Sequence, residues 1–222
     1  MSQKTKEARA AYNRKYRQLN ADKIRSQHSS YRTANLDAMK ARDAAYGKAA
    51  KIDVLMQYGG IKCALCPENR LGALTIDHID GNGGAHRAST NCSSGKKFYL
   101  WLKRNNFPTG YRVLCSNCNW RTHRTTSTVN ESTSKYALRQ KRIKAAKKFE
   151  IMTLLGGKCV KCKTNDLVVL TIHHQNNDGA NHRRQLTGGA SGIAFYYAIL
   201  KTKDINGLEC RCFSCNDAEE WG

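Results

Sequence analysis

Four Cys-x-x-Cys pairs constrain this chain more than any other feature: Cys63–Cys66, Cys115–Cys118, Cys159–Cys162 and Cys212–Cys215. The stretch Met1–Lys6 leads into further charge with no apolar core, so it does not read as a secretory signal, and no run approaches the roughly 18 apolar residues of a membrane span. Cysteines in such a chain are expected on metal rather than in cystines. Zinc suits four thiolates in two knuckles, because it takes tetrahedral sulfur ligation and a structural site needs no open position. The expected ligand sets are Cys63, Cys66, Cys115 and Cys118 for one ion, and Cys159, Cys162, Cys212 and Cys215 for a second. Cys92 is read as a free thiol and Cys210 as a half-buried strand residue.

The pairs belong to a duplication. Cys159 follows Cys63 by 96 positions (159 − 63 = 96), and Leu170-Thr171-Ile172-His173-His174 follows Leu74-Thr75-Ile76-Asp77-His78 by the same distance. Cys212-x-x-Cys215-Asn216 follows Cys115-x-x-Cys118-Asn119 by 97 (212 − 115 = 97). His182-Arg183 matches His86-Arg87, and Phe195-Tyr196 matches Phe98-Tyr99. Matched spacing over this length indicates two tandem copies of one module.

Around these motifs the chain reads as α+β. Residues 1–42 form a basic helical arm in which Tyr16, Tyr31 and Tyr46 recur every 15 residues. Fifteen residues at about 100° each return to within roughly 60° of one helix face. Without a Leu/Ile stripe this arm buries little of itself, so Arg14, Lys15, Arg17, Arg25 and Arg32 are either phosphate contacts or part of a solvated basic tail. Residues 43–124 form the first module. It opens with a helix over 43–58 whose apolar face is Ala45, Ala49, Ile52, Leu55 and Met56, closed by Gly59-Gly60. A strand over 71–76 delivers Asp77-His78, followed by a flexible loop at Gly81, Gly83 and Gly84 and a Ser/Asn loop over 88–95. A helix over 96–106, a second strand over 111–114 and the helix bearing Asn119 complete the module. Residues 125–155 comprise a Ser/Thr-rich linker (124–135) and a basic helix from Lys135, and 156–222 form the second module.

The charge points to a partner class. Lys and Arg number 38 against 17 Asp and Glu, a formal +21, which makes nucleic acid the default ligand. Apolar residues are 40% of the chain, which suits small metal-stapled modules better than one large core.

The residues Cys63, Cys66, Asp77, His78, Cys115, Cys118 and Asn119 together resemble the HNH, or ββα-metal, endonuclease superfamily. The match is to its phage HNH and recombination endonuclease VII branch, over roughly 60–124 with a weaker copy over 156–216. The resemblance implies a metal-dependent nuclease of phage or homing type, cutting phosphodiester bonds of double-stranded DNA, with two structural Zn and a catalytic Mg (or Mn). Asp77 and Asn119 would bind the Mg, a hard cation that favours oxygen. His78 would activate water, since a neutral imidazole accepts a proton near pH 7. Many family members have His where Asn119 stands, while the endonuclease VII branch has Asn. His86 and Arg87 are candidates to grip the phosphate; Arg121 and His123 are candidates for phosphate contact or solvent. Asp80 is a further ligand or a turn residue.

In the second copy His173 and Asn216 form a possible second Mg site and His174 a second base. A His-His pair also occurs in bacterial DNase toxins. The acidic tail Asp217, Glu219, Glu220 would repel phosphate, so the copy is either a weakened, DNA-binding site or a second active one. The alternative to an enzyme is a zinc-dependent DNA- or RNA-binding protein that keeps only the scaffold. No membrane partner is expected. The duplication is compatible with a monomer, and a phage-encoded chain would work in the cytoplasm of its bacterial host.

Overall fold

A computed structural model describes residues 3–90, 92, 95–126, 134–190 and 192–219. The chain divides into two compact units, 1–50 and 51–222. The described residues form ten α-helices and two separate two-stranded sheets.

The first unit holds α1 (Gln3–Leu19), α2 (Ala21–Ala34) and most of α3 (Leu36–Gln57). The 15-residue repeat has a structural cause. At each junction an Asn closes on the Tyr four residues earlier: Asn20 Nδ2 donates to Tyr16 O (2.9 Å) and Asn35 Nδ2 to Tyr31 O (2.8 Å). No residue of α2 is buried, and Tyr12, Tyr16, Tyr31 and Tyr46 are exposed, as the missing aliphatic stripe requires.

The second unit begins in the last turns of α3. Its buried side chains there are Lys51, Val54 and Leu55, whereas Met56, expected on the apolar face, is 59% exposed. The face is set by the i, i+3, i+4 positions 51, 54 and 55, so the lysine accompanies the apolar pair inward and donates from Nζ to Gly72 O (3.4 Å). The helix stops at Gly59 (φ 115°), and Gly60 N closes on Leu55 O (2.9 Å); Gly156 and Gly157 repeat the device, with Gly157 N on Met152 O (2.7 Å).

β1 (Leu74–His78), preceded by a 3₁₀ turn at Leu71–Ala73, pairs antiparallel with β2 (Tyr111–Cys115), placing Asp77 opposite Arg112. Asp77 and His78 therefore lie within the strand, because its pairing runs on to Tyr111. Between the strands lie α4 (Gly83–Thr90) and α5 (Lys96–Arg104), and α6 (Ser116–Thr126) follows β2. Gly83 thus opens a helix where the glycine cluster suggested a flexible loop, and that helix replaces the first part of the expected 88–95 loop. Phe98, Tyr99 and Leu102 on α5 are buried with Leu74, Ile76, Val113 and Leu114.

The second module repeats this plan with α7 (Lys135–Leu154), β3 (Leu170–His174), α8 (Gly179–Thr187), α9 (Ile193–Thr202), β4 (Leu208–Cys212) and α10 (Phe213–Glu219). Its core gathers Ile151, Met152, Val169, Leu170, Phe195, Ile199 and Cys210. Cys210 is fully buried, not half-buried, because its β4 position faces Met152. Most of the expected 124–135 linker, at 127–133, lies outside the described residues, as do Glu220 and Trp221. No helix of the described residues is long and apolar enough to cross a membrane.

In each module the four cysteines of two knuckles converge. The four sulfurs of Cys63, Cys66, Cys115 and Cys118 lie within 4.8 Å of one another, and those of Cys159, Cys162, Cys212 and Cys215 do the same. All eight are free thiols, so each quartet is placed to bind a metal ion. Backbone N–H groups point at the sulfurs: Cys118 N to Cys115 Sγ and Cys215 N to Cys212 Sγ, both 3.4 Å.

The two modules pack through equivalent surfaces. Asn117 N donates to Ser214 Oγ (3.1 Å) and Ser214 N donates to Asn117 Oδ1 (3.0 Å); both residues are the third in their Cys-x-x-Cys pairs. One position earlier, Ser116 bonds Asp217 while its counterpart Phe213 packs on Trp120 (ring centroids 4.9 Å), and Trp120 and Asp217 are themselves counterparts. The contact is thus a local two-fold between copies on one chain, the arrangement of an isologous dimer interface.

Two outcomes follow for stability. A strong chelator at neutral pH should abolish the cooperative unfolding transition of the 51–222 unit, because a core this small depends on its metal. Leu102→Ala, which empties a fully buried position, should cost about 2–5 kcal/mol in a denaturant titration of the metal-loaded protein.

Candidate active site

β1, α4, α5 and α6 enclose a cavity of about 240 Å³ lined by Asp77, His78, Gly83, Arg87, Asn119 and His123, among others. The strand and the helix thus bring the expected trio Asp77, His78 and Asn119 to one place. The cysteine knuckle explains how: Cys115 ends β2, and Asn119 lies directly after Cys118 in the first turns of α6.

Asp77 is 3% exposed. Its Oδ2 accepts from Arg112 Nε (2.8 Å), its cross-strand partner, and its Oδ1 faces His123 Nε2 at 3.8 Å. Asn119 Oδ1 is buried and accepts no hydrogen bond. An unsatisfied buried oxygen costs about 1–3 kcal/mol, so something polar is expected to meet it. Asp77, Asn119 and His123 line this one cavity, and two oxygens with an imidazole are a donor set that could hold a divalent cation. Among the described residues the only clusters of three or more Cys, His, Asp or Glu ligand atoms are the two cysteine quartets. A cation at Asp77 would therefore be held by few protein atoms and complete its shell with water, as Mg²⁺ commonly does.

His78 sits in an aromatic box. Phe98 stacks on it (ring centroids 5.3 Å, interplanar angle 11°) and Tyr111 meets it edge-on (4.9 Å). His78 Nε2 and His86 Nδ1 share a hydrogen bond of 3.0 Å. His86 was a candidate phosphate ligand from sequence; α4 instead turns its ring inward onto His78 and Trp101, leaving Arg87 at the cavity. The other nitrogen of His78 faces Gly83, where a methyl group would come within 3.0 Å of Nδ1. Burial first, then the neighbouring His86, holds the His78 imidazolium below its ordinary range.

Arg121 is half-exposed and bonds Asp166 of the second module (Nε to Oδ2, 2.8 Å), so it is partly neutralised as a phosphate contact. Arg14, Lys15, Arg17, Arg25 and Arg32 are all exposed on the first unit. Asp80 is an exposed turn residue outside the cavity lining. His123 is the residue whose place in the site the sequence left undecided. It lies four residues after Asn119 on α6, one helical turn on, which was the available signal.

The second module keeps half of this geometry. His174 Nε2 and His182 Nδ1 share a 3.0 Å hydrogen bond, Phe195 stacks on His174, and Gly179 lies against His174 Nδ1. The other half is altered. His173 Nδ1 lies 2.7 Å from Asn216 Oδ1, so the carboxamide oxygen that is orphaned in the first module is satisfied here. His173 stands opposite Glu209, where the first module has Asp77 opposite Arg112. The acidic residues of α10 do not face this site as expected. Asp217 bonds Ser116, and Glu219 pairs with Lys161 (3.6 Å) and with Arg211, because α10 turns that face to the module interface and the knuckle.

Comparison with protein-family models, curated proteins and solved structures finds no match to this chain.

Because its folded-state pKa is lowered, His78 disfavours protonation in the fold. The stability it carries is present above the unfolded value near 6.5 and is lost as pH falls through the lower folded value. Histidine NMR of the protein without added divalent cation should show its midpoint below 6.5, and His86→Ala should raise that midpoint by exposing the ring and removing the imidazole that disfavours its protonation.

Proposed function

We propose that this protein is a metal-dependent endonuclease of the HNH type acting on double-stranded DNA, with its active centre in the first module. The observation that carries the reading is the buried, unpartnered Asn119 Oδ1 beside Asp77 in the cavity that also holds His78. Zinc is the ion best suited to the two thiolate quartets. Asp77 Oδ1 and Asn119 Oδ1, with His123 Nε2 alongside, would hold Mg²⁺ or Mn²⁺, which supplies charge neutralisation at the scissile phosphate.

The chain's own residues supply the remaining steps. With His78 as the donor in its Nε2–His86 Nδ1 hydrogen bond, that bond orients the ring and leaves the Nδ1 lone pair toward Gly83 and the cavity. Nδ1 takes the proton of the water whose oxygen attacks phosphorus; the P–O bond to the leaving oxygen breaks, and that oxygen takes a proton from solvent. The depressed pKa keeps the ring neutral and ready at pH 7. Arg87 at the cavity pairs with a phosphate oxygen, and the formal +21 of the chain draws DNA in. The exposed Arg and Tyr side chains of the first unit suit contacts along the backbone. The second module serves as a DNA-binding or weakened site, since Asn216 is already occupied by His173.

A non-catalytic DNA- or RNA-binding role is favoured by one observation, the Arg112 guanidinium that already neutralises Asp77. Supercoiled plasmid with Mg²⁺ separates the two. The nuclease reading expects nicked circles, with His78→Ala abolishing them while both quartets stay loaded. Plasmid retarded in a gel but left intact across Mg²⁺ and Mn²⁺ would establish the binder instead. Gly83→Ala, whose methyl would press on the His78 ring, should fold normally yet slow nicking.

A further inference from the structure

The two cysteine quartets differ in what surrounds them. Arg70 of the first module reaches across the interface and donates to Cys215 Sγ from both Nη1 (3.6 Å) and Nη2 (3.5 Å). The guanidinium is held in place from behind: Nε donates to Glu68 Oε1 (2.8 Å) and Nη2 to Glu68 Oε2 (2.6 Å). Glu68 is anchored in turn to the first knuckle, since Cys63 N donates to Glu68 O (2.8 Å). Asn117, also of the first module, is fixed by its reciprocal bonds to Ser214 and lies within hydrogen-bonding reach of Cys212. Two of the four thiols of the second quartet therefore meet side chains of the first module.

The first quartet draws its nearby guanidinium from its own module: Arg121 lies within hydrogen-bonding reach of Cys118. The counterpart of Arg70 is Asp166 (70 + 96 = 166), whose carboxylate can only accept, and it accepts from Arg121. The counterpart of Asn117 is Ser214, whose Oγ accepts from Asn117 N. A local two-fold in backbone thus carries unlike donors: the first module supplies the guanidinium beside each quartet, Arg121 at its own and Arg70 at the second.

We infer that the first module completes the second metal site: Arg70, positioned by Glu68, is an outer-shell donor to the Cys215 thiolate and sets the affinity of the second quartet for its ion. Four thiolates around a divalent ion carry a net charge of about −2. A fixed guanidinium beside one sulfur offsets part of that charge, and outer-shell partners of this kind are typically worth about 10–100-fold in metal affinity. Metal in the second module consequently reports whether the first module is folded against it. The inference rests on metal in the quartets and is independent of the nuclease reading.

Cadmium-loaded full-length protein tests it, because proton–cadmium correlations to the cysteine β-protons assign one cadmium line to each quartet. During titration with a competing chelator, Arg70→Ala should lose the Cys159/Cys162/Cys212/Cys215 line at about 10–100-fold lower chelator than the wild type, with the other line unmoved. Arg70→Lys, which keeps charge but loses the fork, should fall between. Glu68→Gln, which loosens the arginine without removing it, should weaken the same line alone. Equal loss of both lines, or no change in either, would overturn the inference, and so would the absence of sulfur-bound cadmium.

Discussion

Four sulfurs drawn to one point, twice in the chain, are the constraint on which the second unit depends. Each quartet joins the start of a module to its end: Cys63 and Cys66 sit before β1, and Cys115 and Cys118 straddle the junction of β2 and α6. A two-stranded sheet is marginal by itself. Here each sheet is pinned at one edge by the knuckles and covered by the Phe98–Leu102 or Phe195–Ile199 face of a helix. Closing a loop of this length through a metal offsets an entropy cost that so small a core cannot meet.

The same clamp determines which side chains meet at the cavity. Asn119 follows Cys118 directly, so ordering the quartet orders the carboxamide. Asp77 and His78 lie on the strand that pairs with the one ending in Cys115, three and four positions along from the Leu74–Cys115 pair. The candidate site is therefore built on rigid elements rather than on a loop. The His78–His86 pair adds a second level of orientation, because α4 begins against the ring at a glycine and returns His86 to it one turn later.

Much of this was legible in the residues. The Cys-x-x-Cys spacing specified both quartets, the 96-residue offset anticipated the repeated order of strands and helices, and the Gly59-Gly60 pair marked the end of α3. The tyrosine repeat of the first unit was visible as a period, but not the Asn20 and Asn35 side chains that close on the tyrosine carbonyls. What stayed hidden was three-dimensional. Gly83 and Gly84 looked like a loop because glycine lowers helix propensity, yet close packing against His78 requires a residue without a Cβ at the start of α4. His86 looked like a phosphate ligand because it is polar and repeated as His182. Its partner His78 lies eight residues away, on a different element. The salt bridge from Arg112 to Asp77 depends on strand register, and the contacts of Arg70, Asn117 and Arg121 depend on the packing of one copy on the other. No spacing rule within a module reports either.

The duplication has diverged in charge rather than in shape. Asp77 opposite Arg112 became His173 opposite Glu209, and Arg70 corresponds to Asp166, yet the strands, the His–His bond and the glycine contact persist. Anomalous scattering from crystals of the full-length protein, recorded at the zinc edge, tests the central claim most directly. The account predicts two peaks, each about 2.3 Å from four cysteine sulfurs, with Asp77, His78 and Asn119 meeting beside the first. Sulfurs joined as cystines, with no scatterer between them, would contradict it.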